Sequence, residues 1–154
     1  MSSTHASNEL RAEAKVAKLP IKIGRLVNRV RVELMDALDR ELAPFDISAA
    51  QLIVLATLAT GEADCASALC KGISYDPGAM TRMLDRLEQK GLIRRRPNPD
   101  DRRSVNLEMT AAGRALYPQL AVTKDAVQRR FLRGFTHTDV DALERLLERM
   151  LANR

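Results

Sequence analysis

The sequence predicts a mainly α-helical chain carrying one small β-hairpin, in the order α-α-α-α-β-β-α-α. Three observations predict it. Apolar residues recur at steps of three and four through most of the chain. Between residues 92 and 109 the period falls to two, across the turn-rich stretch "PNPDDRRS". Helix-start residues and a well-placed glycine mark the ends of the periodic stretches. A length of 154 residues suits one domain, and an apolar content of 45% suits a folded one.

Residues 1–18 form a polar arm, loose or a frayed helix, and Pro20 punctuates its end. The first helix carries Ile23, Val27, Val30, Leu34 and Leu38 on one face and stops near Ala43, before Pro44. Ser48 and Gln51 then have the spacing of a capping box, in which each side chain satisfies a free backbone N–H of the other. The helix they open is apolar nearly all round (Leu52, Ile53, Val54, Leu55, Leu58), so it belongs in the middle of the core, and Gly61 ends it. A short helix covers Cys65 to Lys71.

The next helix, 77–90, has both ends marked. Asp76 is a suitable N-cap, Pro77 suits the first helical position, and Gly91 sits where a left-handed stop is needed. Met80, Met83, Leu84 and Leu87 give it an apolar face. Leu92 to Arg96 reads as a strand, paired with the alternating Val105, Leu107 and Met109. Thr110 caps a helix with an inner face of Leu116, Leu120, Val127 and Phe131, which Pro118 should kink or start raggedly. The last helix starts near Thr138, with Asp141 three residues on, and bears the stripe Val140, Leu143, Leu146, Leu147, Met150 and Leu151.

Composition narrows the function. The net charge of +5 favours a polyanionic partner, nucleic acid before membrane. Residues 82–103 hold eight Arg or Lys against four acids, a local net of +4. No stretch approaches the roughly 18 apolar residues of a membrane span, and no secretory signal is visible, so the expected location is cytoplasmic. Two histidines, His5 and His137, make a His-centred triad improbable. No glycine-rich phosphate loop and no Cys/His cluster point to a cofactor or a metal. An enzyme is therefore not expected. Cys65 and Cys70 stand five apart, about 140° around a helix. They are read as buried inert thiols, with a redox sensor as the alternative.

Two short helices joined by a tight turn and followed by a hairpin make a winged helix-turn-helix. The second helix can bring its N-terminal N–H groups to phosphate, and Gly78 and Ala79 allow close approach to a groove. Its polar face carries Thr81, Arg82, Asp85 and Arg86.

The stretch "AMTRMLDRLEQKGLIRRRPNPDDRRSVNLEMTAAG" resembles the signature region of MarR-type regulators. The resemblance rests on Thr81, on "LDRLEQKG" at 84–91, on Asp101-Arg102-Arg103 and on "MTAAG" at 109–113, where Met109 replaces the usual leucine. It implies a single domain over 19–154, with a winged helix-turn-helix at about 48–109. Helices within 19–43 and 111–154 would intertwine in a homodimer. Two recognition helices would read a palindromic double-stranded operator, at a spacing of about 34 Å or 10 bp. Asp76, Pro77, Gly78, Ala79, Thr81, Arg82 and Arg86 would then lie in or beside the major groove. Arg82 or Arg86 could grip guanine, clamp a phosphate or form an internal salt bridge. Ser74 and Tyr75 on the turn would touch phosphate. Arg94, Arg95 and Arg96 would make backbone contacts or stay solvated. On the wing, with Arg102 beside it, Arg103 would enter the minor groove. Asp101 would orient an arginine, Asn98-Pro99 would make the turn, and Asp100 would be a turn residue. The resemblance also implies repression relieved by a small aromatic or phenolic effector, bound between the dimer helices and the DNA-binding lobe. Arg25, Arg29 and His137 are the candidates to meet its carboxylate. Peroxide sensors of this family often carry their cysteine near the start of the long first helix, which Cys65 and Cys70 do not match.

Overall fold

A computed structural model describes residues 22–73, 75–98 and 105–153. By its internal contacts the chain divides into two compact units, one up to Glu33 and one from Leu34 onward. Helix α1 (Ile23–Leu42) contributes to both. In the first unit Ile23, Val27 and Val30 of the expected apolar face are exposed, as are Leu26 and Val32. Arg29 lies 4.0 Å from Glu33 one turn on.

The second unit is built around α2 (Ala49–Thr60), as its all-round apolarity requires. Ala49, Leu52, Val54 and Leu55 are fully buried, and Ile53 and Leu58 partly so. Around them pack Leu42, Leu69, Met80, Leu84, Leu87, Ile93 and Leu120. Each such side chain contributes about 1.5–3 kcal/mol by leaving water. The capping box forms: Ser48 Oγ accepts from Gln51 N–H, and Gln51 Oε1 accepts from Ser48 N–H at 3.0 Å. Asp39 Oδ1 adds a third bond, from Ala49 N–H at 2.6 Å. That fixes the start of α2 to the end of α1. Pro44 sits in a 3-10 turn, Ala43–Phe45, and Gly61 closes α2 with φ 73°.

Helix α3 (Ala66–Ile73) is followed by α4 (Pro77–Gln89). The hairpin pairs β1 (Ile93–Pro97) with β2 (Val105–Met109), antiparallel, Ile93 opposite Met109 and Pro97 opposite Val105. Its first strand lies one residue later than expected. A backbone bond from Leu107 N–H to Asp64 O, 2.6 Å, ties β2 to the α2–α3 link. Leu107 and Met109 are buried, while Val105 is exposed near the tip.

Helix α5 (Ala111–Phe131) starts at Thr110 and runs through Pro118, which lies inside the helix rather than at a ragged first turn. Leu120 and Val127 are buried and Leu116 is partly so, but Phe131 is exposed, a departure from the expected inner face. Helix α6 (His137–Ala152) starts earlier than expected. Its cap is Thr136, whose N–H and hydroxyl both donate to Asp139. Two Thr-x-x-Asp frames overlap here, Thr136/Asp139 and Thr138/Asp141. The left-handed Gly134 and the bond from Phe135 N–H to Leu132 O complete the reversal in time for the earlier one. No residue of α6 is buried, and Leu146 and Leu151 are 52% and 61% exposed. Among the described residues no single helix is long and apolar enough to cross a membrane.

Candidate nucleic-acid interface

Helix α4 is positioned at both ends by local chemistry. Asp76, in extended conformation, accepts from Ala79 N–H at 3.0 Å, and Pro77 follows at the first helical position. At the other end Gly91 adopts φ 68°. Its N–H bonds to Glu88 O at 2.8 Å and Leu92 N–H bonds to Leu87 O at 3.0 Å, the paired bonds of a glycine-stopped helix. Lys90 extends to the left-handed Asp46, reaching its carboxylate at 2.9 Å and also its carbonyl. The helix is thus pinned to the link between α1 and α2.

The next joint is as tight. Thr110 donates its N–H to Leu92 O at 3.0 Å and its hydroxyl to Gly91 O at 2.6 Å, and its Oγ1 accepts from Gly113 N–H. A Cβ on Gly113 would stand 2.2 Å from Leu92 O, so only glycine lets α5 begin this close to the end of α4. This is the physical reason for the glycine in "MTAAG".

The residues expected at the groove divide into distinct groups. Pro77, Gly78, Thr81, Arg82 and Arg86 are exposed along α4, and Asp76 is exposed while serving as its cap. Ala79 is half-buried, and Tyr75 is half-buried with its ring against the core. Thr81 donates its hydroxyl to Pro77 O at 2.9 Å. Gly78 has its own reason: a Cβ there would lie 3.2 Å from Asp76 Oδ1 and 3.5 Å from Arg82 Nη1. Arg82 and Arg86 have no ion-pair partner among the described residues. With Ser48, Gln51, Ala79 and Met83 they line a cleft of about 240 Å³. Ser74, Asp101, Arg102 and Arg103 lie outside the described residues, as do Pro99 and Asp100.

The three consecutive arginines of β1 separate by strand alternation. Arg94 and Arg96 share one face, where both meet Glu108, at 2.7 Å and 3.3 Å. The Arg94 hydrogen bond, more than any other contact, holds the Glu108 carboxyl below the usual carboxylate range. Arg95 points to the opposite face, where it is half-buried and engaged by two carboxylates. Its Nη2 lies 2.7 Å from Asp85 Oδ1, its Nη1 donates to Glu88 Oε2, and its backbone N–H donates to Glu88 Oε1 at 3.1 Å. The bond from Asp85 foremost raises the Arg95 pKa, opposed by burial and reinforced by Glu88. Sequence reading missed these partners. The available signal was the period of two in β1 together with the i, i+3 spacing of Asp85 and Glu88 on one face of α4.

The remaining candidates sit apart. Arg25 and Arg29 are exposed in the first unit, and His137 is exposed at the start of α6. Cys65 and Cys70 are half-buried rather than buried and form no disulfide with each other. Cys65 Sγ is 3.3 Å from Ser67 Oγ, and Cys70 packs against the core. Within the second unit a cavity of about 390 Å³ opens between α1, α2 and α5. Met35, Leu38, Leu52 and Ile53 give it apolar walls, and Thr57, Thr60, Glu62, Tyr117, Lys124 and Gln128 bring the polar groups.

Residues 47–105 match the MarR family model. The chain is 36% identical over 132 residues to the multiple antibiotic resistance protein MarR of Escherichia coli, covering 85% of this chain and 92% of that one. It is 27% identical over 129 residues to the transcriptional repressor MdtR of Bacillus subtilis, covering 84% and 81%. A mutant Escherichia coli MarR crystallised with operator DNA superposes with a TM-score of 0.77 at 36% identity, over 85% of this chain and 94% of that one. With the α3–α4 pair, the hairpin that follows it and the exposed arginines of α4, these likenesses place the chain in the MarR family, as a winged helix-turn-helix transcriptional regulator and not an enzyme.

Proposed function

We propose that the chain is a cytoplasmic repressor that grips a palindromic operator as a homodimer and is released by a small aromatic or phenolic acid. The observation that carries the DNA reading is the pair Arg82 and Arg86. They stand exposed on α4 without a counter-charge among the described residues, while Arg95 beside them pairs with Asp85 and Glu88, and Arg94 and Arg96 share Glu108. One arginine gripping guanine contributes about 1–3 kcal/mol of discrimination. The Escherichia coli relative crystallised with operator DNA supports the same partner here. In this reading the winged helix-turn-helix at about 48–109 binds DNA, with Asp76 to Ala79 and Thr81 at the major groove and Ser74 and Tyr75 near phosphate. Arg103, beside Arg102 and oriented by Asp101, enters the minor groove. Residues 19–43 and 111–154 dimerise, which the exposed leucines of α6 and the exposed apolar face of α1 support.

The effector reading rests on the cavity between α1, α2 and α5. A ring would lie against Leu38, Leu52 and Ile53, and a carboxylate would meet Lys124. Such a ligand weakens DNA binding only by favouring a state with a different half-site distance. Control by thiol oxidation has less support, since Cys70 packs against the core.

The test is a gel shift on the DNA upstream of the protein's own gene, titrated with salt and with a panel of aromatic acids. A specific complex with a steep salt slope is expected, and its absence would overturn the reading.

A further inference from the structure

The middle of β1 is held to α4 through Arg95, by its guanidinium and its backbone N–H. Arg95 stands on β1 opposite the buried Leu107, on the face turned to α4. There it forks between two carboxylates three residues apart, Asp85 and Glu88. Glu88 closes a second ring by accepting the Arg95 backbone N–H at 3.1 Å. All three side chains are between about a third and a half exposed, so neither desolvation nor water dominates. The clamp joins the two elements that must reach DNA together. Rotation of the hairpin about its own base would have to break two charge-assisted hydrogen bonds and a backbone bond at once.

We propose that Arg95, Asp85 and Glu88 are positioning residues for operator binding: the clamp sets the angle between the recognition helix and the wing, so that two acids on a DNA-binding element strengthen DNA binding. This rests on the operator reading of the α4 arginines. The opposing expectation is plain electrostatics, in which any carboxylate near phosphate weakens binding and any arginine strengthens it. The two differ in sign. A single charge on a flexible stem cannot bridge both carboxylates, so lysine is a poor substitute for Arg95.

The experiment uses the full chain and its footprinted operator, with affinity measured by fluorescence anisotropy across a salt series. It compares the complete operator with a trimmed one lacking the flanks where the wings would land. The double variant Asp85→Asn, Glu88→Gln removes two negative charges, yet should bind the complete operator about tenfold more weakly, the scale of a lost charge-assisted hydrogen bond. Its affinity for the trimmed operator should stay near wild type. Arg95→Lys should behave like the double variant, with an unchanged salt slope on the trimmed operator. Tighter binding by the double variant would overturn the proposal, because the acids would then only repel phosphate. A salt slope lowered by about one phosphate on the trimmed operator in Arg95→Met would also overturn it, making Arg95 a direct contact. Equal losses on both DNAs would reduce the clamp to a folding role and refute it. Should Arg95→Met fail to fold, the triple variant Arg95→Met, Asp85→Asn, Glu88→Gln leaves no unpaired charge and takes its place. A wild-type protein that binds no operator would instead refute the operator reading. In that case amide exchange at the Arg95 N–H, faster in the double variant, still tells whether the clamp holds the hairpin.

Discussion

Replacing Gly113 with alanine isolates the joint between α4 and α5. Alanine is the better helix former by about 1 kcal/mol, so in open space the change would stabilise. Here the new Cβ would lie 2.2 Å from Leu92 O and 3.1 Å from Leu92 C. Relief to an ordinary separation of about 3.4 Å needs a shift of about 1.2 Å. Neither side yields easily, because the obstacle is backbone. Leu92 O accepts from Thr110 N–H, and Leu92 N–H is bonded to Leu87 O. Overpacking of this kind costs about 1–3 kcal/mol, here at the upper end. After the helix gain, Gly113→Ala should lose about 2 kcal/mol, which for a chain this size lowers Tm by about 4–8 °C. The control is Gly24→Ala, in α1, where a Cβ meets nothing within 4 Å; it should gain about 0.5–1 kcal/mol. The assay is urea and thermal unfolding of all three proteins at one concentration, since self-association would shift Tm. A Gly113→Ala protein as stable as Gly24→Ala would refute the close-approach reasoning.

The same geometry has other consequences. Arg82→Ala and Arg86→Ala should each weaken operator binding; a guanine reader costs about 1–3 kcal/mol at one base pair and a phosphate contact lowers the salt slope by about 1, which a set of single-base operator variants separates. Because the folded state lowers the Glu108 pKa, its pairing with Arg94 and Arg96 contributes stability above the ordinary carboxylate value and loses it as pH falls through the lowered one. The urea midpoint of wild type should therefore decline more through that acid window than that of Glu108→Gln, and parallel declines would contradict it. Lys124→Ala should blunt release by aromatic carboxylates and leave operator affinity in their absence near wild type, read by anisotropy with and without ligand. Leu147→Glu on the exposed stripe of α6 should raise the dimer dissociation constant at least tenfold, visible by sedimentation, and an undisturbed dimer would remove α6 from the interface.

What was legible beforehand is what closes within a few residues. Ser48 and Gln51, Asp76 and Pro77, Gly91, and Thr110 each satisfy or terminate a helix end through neighbours on the chain, so their roles could be read directly. The apolarity of α2 and the alternation of β2 likewise express local periodicity, and they placed the core and the hairpin. The start of α6 was misjudged for the converse reason. Two Thr-x-x-Asp frames are locally equal, and the turn at Gly134 decides between them.

The sequence by itself determined the order of elements, the DNA-binding architecture and the helix that presents Arg82 and Arg86. Counting charge over residues 82–103 also located the basic region, but not which charges are available. Tertiary structure decided that, because ion pairs depend on distance in space rather than along the chain. Strand alternation turns Arg95 toward α4, where Asp85 and Glu88 hold it, and leaves Arg94 and Arg96 on Glu108. Of the described cations in that stretch, only Arg82 and Arg86 have no ion-pair partner among the described residues.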